Sequence, residues 1–350
     1  MPHNVLITGV SGYLGGTLLA RLSLVQLTGV DQIFALVRTD AQADACRRYG
    51  AEPLQFNAYN PTAVHEAIVT NRITIVYFLI GCDQFDNQEF FIQALAESKK
   101  ITRQEVHFIF TTGTKQFGSY CGAPTDRPLL DTEPDLYEIQ KAQRSEHPWA
   151  LTSVKANCDV IDKADEYGVR TYIFSPCMVY GRGEGFGNRI SIQVVDIVRA
   201  AKGAGRVYKV EADRNEWPVC HITDNTNLYI QILLSILNGK NPGYGKSGYY
   251  LASSGRIAWD DVYEAMAIAL AKRSVIDDAT VVQADDAALE KMATALGTYK
   301  SFVGARIAGL STYTAEHGKE LGWSPQYPPQ HILEAADEEV DFILQNLKSV

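Results

Sequence analysis

Residues 4–16 read NVLITGVSGYLGG, and this stretch decides the fold. Val5, Leu6 and Ile7 are the apolar run of a strand buried on both faces. Gly9, Gly12 and Gly15 follow with G-x-x-G-x-x-G spacing. In such a loop one glycine permits the tight turn, one lets the backbone approach a pyrophosphate, and one lets the next helix pack closely on the sheet. An apolar helix then begins, carrying Leu14, Leu18, Leu19 and Leu22. Backbone N–H groups and the positive end of the helix dipole at Tyr13 and Leu14 would face the phosphates, and Ser11 in the turn before them is a further candidate cofactor contact. Strand, glycine turn and helix in this order are the context a dinucleotide loop needs. A plain strand–helix turn is the alternative.

Outward from this stretch, the first half alternates strand and helix patterns. Strands are expected at 33–38, 53–56, 73–80, 106–112 and 171–175, with helices at 13–26, 41–48, 61–70, 86–99 and 149–167. The expected fold class is α/β: a doubly wound parallel sheet of the Rossmann type with a smaller C-terminal α/β substrate-binding cap. Residues 1–180 would form the nucleotide domain and 181–350 most of the cap, interleaved with it. Ligands of such sheets bind outside the carboxyl ends of the strands.

Several residues fall at those ends. Arg38 closes the second strand, where an acid would take a ribose 2′-hydroxyl and an arginine accommodates a 2′-phosphate. The next acid is Asp40, so NADP(H) is expected over NAD(H). Asn57 can bond the adenine edge or serve as a turn asparagine. Ile80 and Gly81 end the fourth strand, where backbone would pass under the ribose and nicotinamide; Cys82 beside them reads as a small buried residue. Residues 113–147 form a long, turn-rich segment leaving the fifth strand, as functional loops do. Beyond it, helices are expected at 190–202, 224–237, 259–273, 285–296 and 331–347, with strands at 206–211 and 248–252.

With 46% hydrophobic and 21% charged residues the composition is that of a globular protein, and the net charge of −9 disfavours nucleic acid and anionic membranes as partners. The partner expected is a small molecule. The chain enters its first strand without a leader-like segment, and no apolar run approaches the ~20 residues of a membrane span. Six scattered cysteines (46, 82, 121, 158, 177 and 220) fit a reducing cytoplasm rather than structural zinc or a disulfide framework. No metal site is expected.

Four segments together resemble the extended, epimerase/dehydratase-like branch of the short-chain dehydrogenase/reductase superfamily. TGVSGYLGG resembles its TGxxGxxG; FSPCMVYGRG resembles RPxxVYG, with Ser175 replacing the arginine; EWPVCHITDNTNLY and LGWSPQ resemble two later motifs. The resemblance spans nearly the whole chain and implies a nucleotide-binding fold, with Pro176 among the cofactor contacts and dimers through paired helices. It also implies a Ser or Thr, a Tyr and a Lys as the catalytic set, the last two spaced Y-x-x-x-K on one helix face. Here Leu151-Thr-Ser-Val-Lys155 stands at that motif, so the lysine matches and the tyrosine does not; Asp159 supplies the acid that usually follows. The usual serine aligns with Gly113, flanked by Thr112 and Thr114. The site is therefore atypical, as in a subgroup that has lost the tyrosine.

On this alignment Lys155 would fix the nicotinamide ribose, and Thr112 or Thr114 would hold a carbonyl. The proton would come from Tyr180, Tyr120 or water. His221 is a further titratable candidate, and Trp217 and Asn215 are candidate pocket residues. The leading expectation is an NADP(H)-dependent oxidoreductase on a small-molecule or secondary-metabolite carbonyl compound. A non-redox isomerase, dehydratase or cyclase and a non-catalytic NADP(H)-sensing protein are the other readings.

Overall fold

A computed structural model describes residues 2–347. Its strands are β1 (His3–Ile7), β2 (Val30–Leu36), β3 (Glu52–Leu54), β4 (Ile73–Phe78), β5 (His107–Thr111), β6 (Leu129–Leu130), β7 (Arg170–Pro176), β8 (Met178–Tyr180), β9 (Tyr208–Lys209), β10 (Glu216–His221), β11 (Tyr249–Ala252), β12 (Gly255–Ala258), β13 (Val282–Gln283) and β14 (Tyr313–Thr314). Seven of them make one parallel sheet in the order β11-β7-β5-β4-β1-β2-β3. The order reverses between β1 and β4, and the crevice of a doubly wound sheet opens at that reversal. All six residues of β4 are buried, as a central parallel strand requires.

The sheet is not confined to the first half of the chain. β11 completes its far edge, and the helix Ile222–Leu237 packs against the helix Tyr13–Leu22. The C-terminal half therefore contributes to the sheet's own core, which joins Leu6, Phe78 and Ile109 to Tyr229, Leu233 and Leu251. A second core lies among the helices Gln193–Ala204, Trp259–Lys272, Asp286–Leu296 and Ala336–Asn346. A small sheet in the order β12-β10-β8 contributes to it.

The expected elements are present with shifted ends. The second strand starts at Val30 and stops at Leu36, which leaves Arg38 on the loop beyond it. The turn-rich segment contains an unexpected helix, Leu136–Ala142, and the final helix is broken into His331–Glu334 and Ala336–Asn346. β8 was masked in sequence by the glycines that follow it. It forms because Met178, Val179 and Tyr180 pair in parallel with Val219, Cys220 and His221.

Candidate functional site

The glycine loop has the geometry its spacing predicts. Gly9 has φ +67°, and a Cβ there would lie 2.7 Å from the Leu79 carbonyl oxygen. A Cβ on Gly15 would lie 2.4 Å from the Gly9 oxygen, so the helix can start this close to the strand only without a side chain. Gly12 differs: its Cβ would approach only the Gly9 oxygen, at 3.1 Å, and would otherwise enter open space. That space is a cavity of about 490 Å³ lined by Ser11, Gly12, Arg38, Asn57, Ala58 and Ile80. No side chain caps the helix at Gly12, which leaves its first N–H groups for a ligand. Tyr13 contributes backbone alone, because its hydroxyl donates to the Gly181 carbonyl (2.7 Å).

Arg38 makes no ion pair among the described residues. Asp40, the next acid in sequence, accepts from Gln55 Nε2 (3.2 Å). Asn57 lines the cavity while its Oδ1 accepts the Tyr59 N–H (3.0 Å), so it is a turn asparagine that keeps its Nδ2 free. Gly81 is exposed and lines neither this cavity nor the next; its carbonyl accepts from Gln88 Nε2 (3.3 Å).

On the other side of the helix start, Tyr13 and Leu14 border a cleft of about 290 Å³. Its walls are apolar: Leu14, Val179, Pro176, Ile192, and Trp149 packed edge-to-face on Phe302 at 4.9 Å. Its polar groups come from the segment just after β5 and also from Asp83, Ser153 and Gln193, and the Asp83 carboxylate acts on Lys115 against the effect of burial. Thr112 donates to Asn157 Oδ1 (2.8 Å) and Thr114 donates to the Pro176 carbonyl (3.1 Å). Both threonines line the cleft as expected, but their protons are committed to protein acceptors, so neither polarises a carbonyl. Lys115 does not share this restriction. Its ammonium makes no ion pair among the described residues, and it lies 5.9 Å from the Phe302 ring centre. Burial holds it below the usual lysine range, helped by the Arg306 guanidinium. Gln116, 4% exposed, leaves Oε1 without a hydrogen-bond partner among the described residues. Lys115 and Gln116 thus set a cationic donor and a buried acceptor in one wall. The Cys82 thiol in the same cleft is pushed up to about 12 by burial, so it is no nucleophile.

The structure does not bring Lys155 to the cleft, and this corrects the Y-x-x-x-K alignment. The helix Pro148–Tyr167 buries Ala150, Ser153, Val154, Asn157, Cys158 and Ile161. Its phase puts Leu151 and Lys155 outside, with the Lys155 side chain 71% exposed and paired with Asp159 (Nζ–Oδ1 2.6 Å). Trp149 and Ser153, also four apart, face the cleft in their place.

The other proton-donor candidates are also elsewhere. Tyr180 is fully buried, its hydroxyl 2.9 Å from His331 Nδ1. Tyr120 donates to Glu211 (2.6 Å). His221 caps the helix after it, accepting from the Thr223 N–H, and burial lowers it to about 4. Trp217 packs against Gly118 and Trp259, and Asn215 donates to Glu211 (2.7 Å).

Residues 5–244 match the profile of the NAD dependent epimerase/dehydratase family. The chain belongs to that family. No curated protein matches the chain in sequence. Among solved structures it is similar to a UDP-glucose 4-epimerase from Thermotoga maritima with UDP-glucose, at 15% identity and a TM-score of 0.64, covering 97% of this chain and 99% of that one. A UDP-glucuronic acid 4-epimerase from Bacillus cereus in complex with UDP-glucuronic acid and NAD is similar at 14% identity and 0.59, covering 98% and 100%. A dTDP-glucose 4,6-dehydratase from Bacillus anthracis in complex with NAD is similar at 14% and 0.63, covering 98% and 97%. At these identities the likeness is one of fold.

This member of the epimerase/dehydratase family locks its nucleotide loop to a second glycine-rich segment. The Asn188 N–H donates to the Ser11 carbonyl (2.8 Å), and a Cβ on Gly187 would lie 2.2 Å from that oxygen. Gly185 meets Gly16 backbone to backbone, a Cβ on it lying 2.5 Å from the Gly16 Cα. Arg21 pairs with Glu184 across the same contact. Among the described residues, no helix is long and apolar enough to cross a membrane.

Proposed function

We propose that this chain is an NADP(H)-dependent oxidoreductase, of the carbonyl reductase or dehydrogenase type, on a small apolar carbonyl compound. A nicotinamide dinucleotide fits the open face of Gly12, the uncapped helix start and the cavity beside them. The two neighbours with NAD in their complexes support the same cofactor class. Arg38, with no carboxylate competing for it, supports NADP(H) over NAD(H). When bound, the cofactor supplies or accepts hydride at a carbonyl carbon.

Lys115 carries the reading. It is the cationic donor in the cleft, and it makes no ion pair among the described residues, whereas Thr112, Thr114 and Tyr13 spend their protons on protein acceptors. Its lowered pKa makes it a better acid than an ordinary lysine while it remains a cation below that pKa. Trp149, Phe302, Ile192 and Val179 line the cleft with apolar surface and favour an apolar body over a sugar. A cytoplasmic location agrees with six unpaired cysteines.

The test is loss of NADPH absorbance with a panel of aliphatic and aromatic aldehydes and ketones. Wild type turns over members of the panel with NADPH in preference to NADH. Lys115→Met lowers kcat/KM by about 10²-fold or more, the usual scale of a general acid, and leaves NADPH affinity unchanged. Reduction by wild type slows as pH rises through the lowered Lys115 pKa, because the cation is the donor; Lys115→Arg moves that limb to higher pH. A Lys115→Met enzyme with wild-type rates refutes the assignment. A changed product without net NADPH consumption makes the chain an isomerase or dehydratase instead.

A further inference from the structure

A third cavity, of about 830 Å³, runs from the nucleotide loop along the helix Gln193–Ala204. At one end lie Ser11, Arg38 and Gln42, which also line the dinucleotide cavity. At the other lie Ser191, Ile192, Arg199 and Arg306, and Ile192 belongs equally to the apolar cleft. The Arg306 guanidinium stands close enough to Lys115 to act on its charge. The second end therefore adjoins the substrate cleft, on the side away from Arg38.

This inner end carries uncompensated donors. Arg306 pairs bidentately with the buried Asp196 (Nε–Oδ2 2.6 Å, Nη2–Oδ1 2.7 Å), which leaves Nη1 free. Arg199 lies 3.9 Å from the same carboxylate, and its buried Nε has no partner among the described residues. Ser191 is 6% exposed, and its Oγ likewise has none. Two guanidinium groups share one carboxylate here, in a chain whose net charge is −9. Buried donors without acceptors are costly unless a ligand supplies the acceptors.

We infer that Ser191, Arg199 and Arg306 bind an oxyanion borne by the substrate, so that the substrate class is an apolar carbonyl compound carrying a carboxylate or phosphate group. The inference rests on the reading of the apolar cleft as the substrate site. The apolar body occupies that cleft beside Lys115, and the acidic group passes Ile192 into the arginine end. Arg38, at the opposite end, remains with the cofactor. Charge-assisted hydrogen bonds from guanidinium give the acid its advantage over a neutral isostere.

The experiment is calorimetric titration of the full-length protein, with and without NADP⁺, using ω-phenyl carboxylates from phenylacetate to 6-phenylhexanoate and their primary amides. Wild type binds at least one acid about tenfold or more tightly than its amide. Arg199→Met keeps the aliphatic stem and removes that preference, and Ser191→Ala reduces it. Equal affinity for acid and amide, or no binding of either across the series, overturns the inference. A different result does so too: if Arg199→Met weakens NADPH tenfold and leaves NADH unchanged, the anion at this position is the cofactor's 2′-phosphate. Wild-type NADPH titration reports separately on the cofactor reading. If NADPH fails to bind while the acid preference persists without it, the cofactor assignment falls and the oxyanion site stands.

Discussion

Replacing Lys155 should do almost nothing, and the size of that nothing can be worked out. Its side chain is 71% exposed and holds Asp159 one helical turn away. An exposed i,i+4 pair contributes about 0.3–0.5 kcal/mol, and Lys preceding Asp is the weaker orientation. Unfolding entropy of about 2 cal/mol/K per residue makes roughly 0.7 kcal/mol/K for a chain of this length. Lys155→Met should therefore lower the melting temperature by about 1 °C or less. If Lys155 held ribose hydroxyls, the lost charged hydrogen bonds would cost about 1.5–3 kcal/mol, some 10- to 100-fold in affinity. Protein-fluorescence titration with NADPH separates the two cases. We expect less than a twofold change, and the same for Leu151→Tyr, which restores the Y-x-x-x-K string on a solvent face. A tenfold weakening by Lys155→Met, or new activity in Leu151→Tyr, would refute the helix phase.

Three further outcomes follow from other contacts. Arg38→Ala should weaken NADPH far more than NADH in the same titration, and equal losses would count against NADP(H) preference. Gly187→Ala should weaken NADPH and cost about 1–3 kcal/mol in denaturant melts, because its Cβ would lie 2.2 Å from the Ser11 oxygen; an unchanged variant would show that the second loop does not brace the first. His107 is 3% exposed and 2.9 Å from the Tyr172 hydroxyl, and burial lowers it to about 3. Its folded pKa lies below its unfolded value of about 6.5. The stability it protects is thus intact above pH 6.5 and lost as pH falls toward 3. Between pH 7 and pH 5 wild type should lose about 2 kcal/mol more than His107→Gln does, and parallel losses would place the effect elsewhere.

The geometry of the glycine loop was legible because its requirements are local. Gly9 must adopt positive φ and Gly15 must admit the Gly9 carbonyl, and both constraints act within one strand–turn–helix unit. Arg38 and Asn57 were singled out by their nearness to strand ends, and both line the cavity beside the loop although each lies beyond its strand. The acid–base half depends on helix phase, which residue identity signalled misleadingly. A lysine followed four residues later by an acid marks an exposed helix face at least as well as a catalytic one. The apolar pattern Ala150, Val154, Cys158 and Ile161 was a better guide to the inward face, and it points to Trp149 and Ser153.

Lys115 escaped notice for a different reason. It sits in TTGTKQFG, where alignment drew attention to the hydroxyls on either side of Gly113. Hydroxyls at a strand end find acceptors readily: Thr112 takes Asn157, and Thr114 takes a carbonyl of β7. A lysine in the same segment cannot be satisfied that way without an acid, and the cap supplies Arg306 as its neighbour, with Asp196 bound to Arg306. Asp83 in the same cleft also acts on Lys115, yet the lysine makes no ion pair among the described residues. On the proposed reading the acid comes from the loop after β5 rather than from the helix Pro148–Tyr167, and the sheet need not change because both face the same cleft. Trp149 then has room to serve as wall instead of acid, and Ser153, donating to the Ala150 carbonyl (3.1 Å), adds no charge beside it.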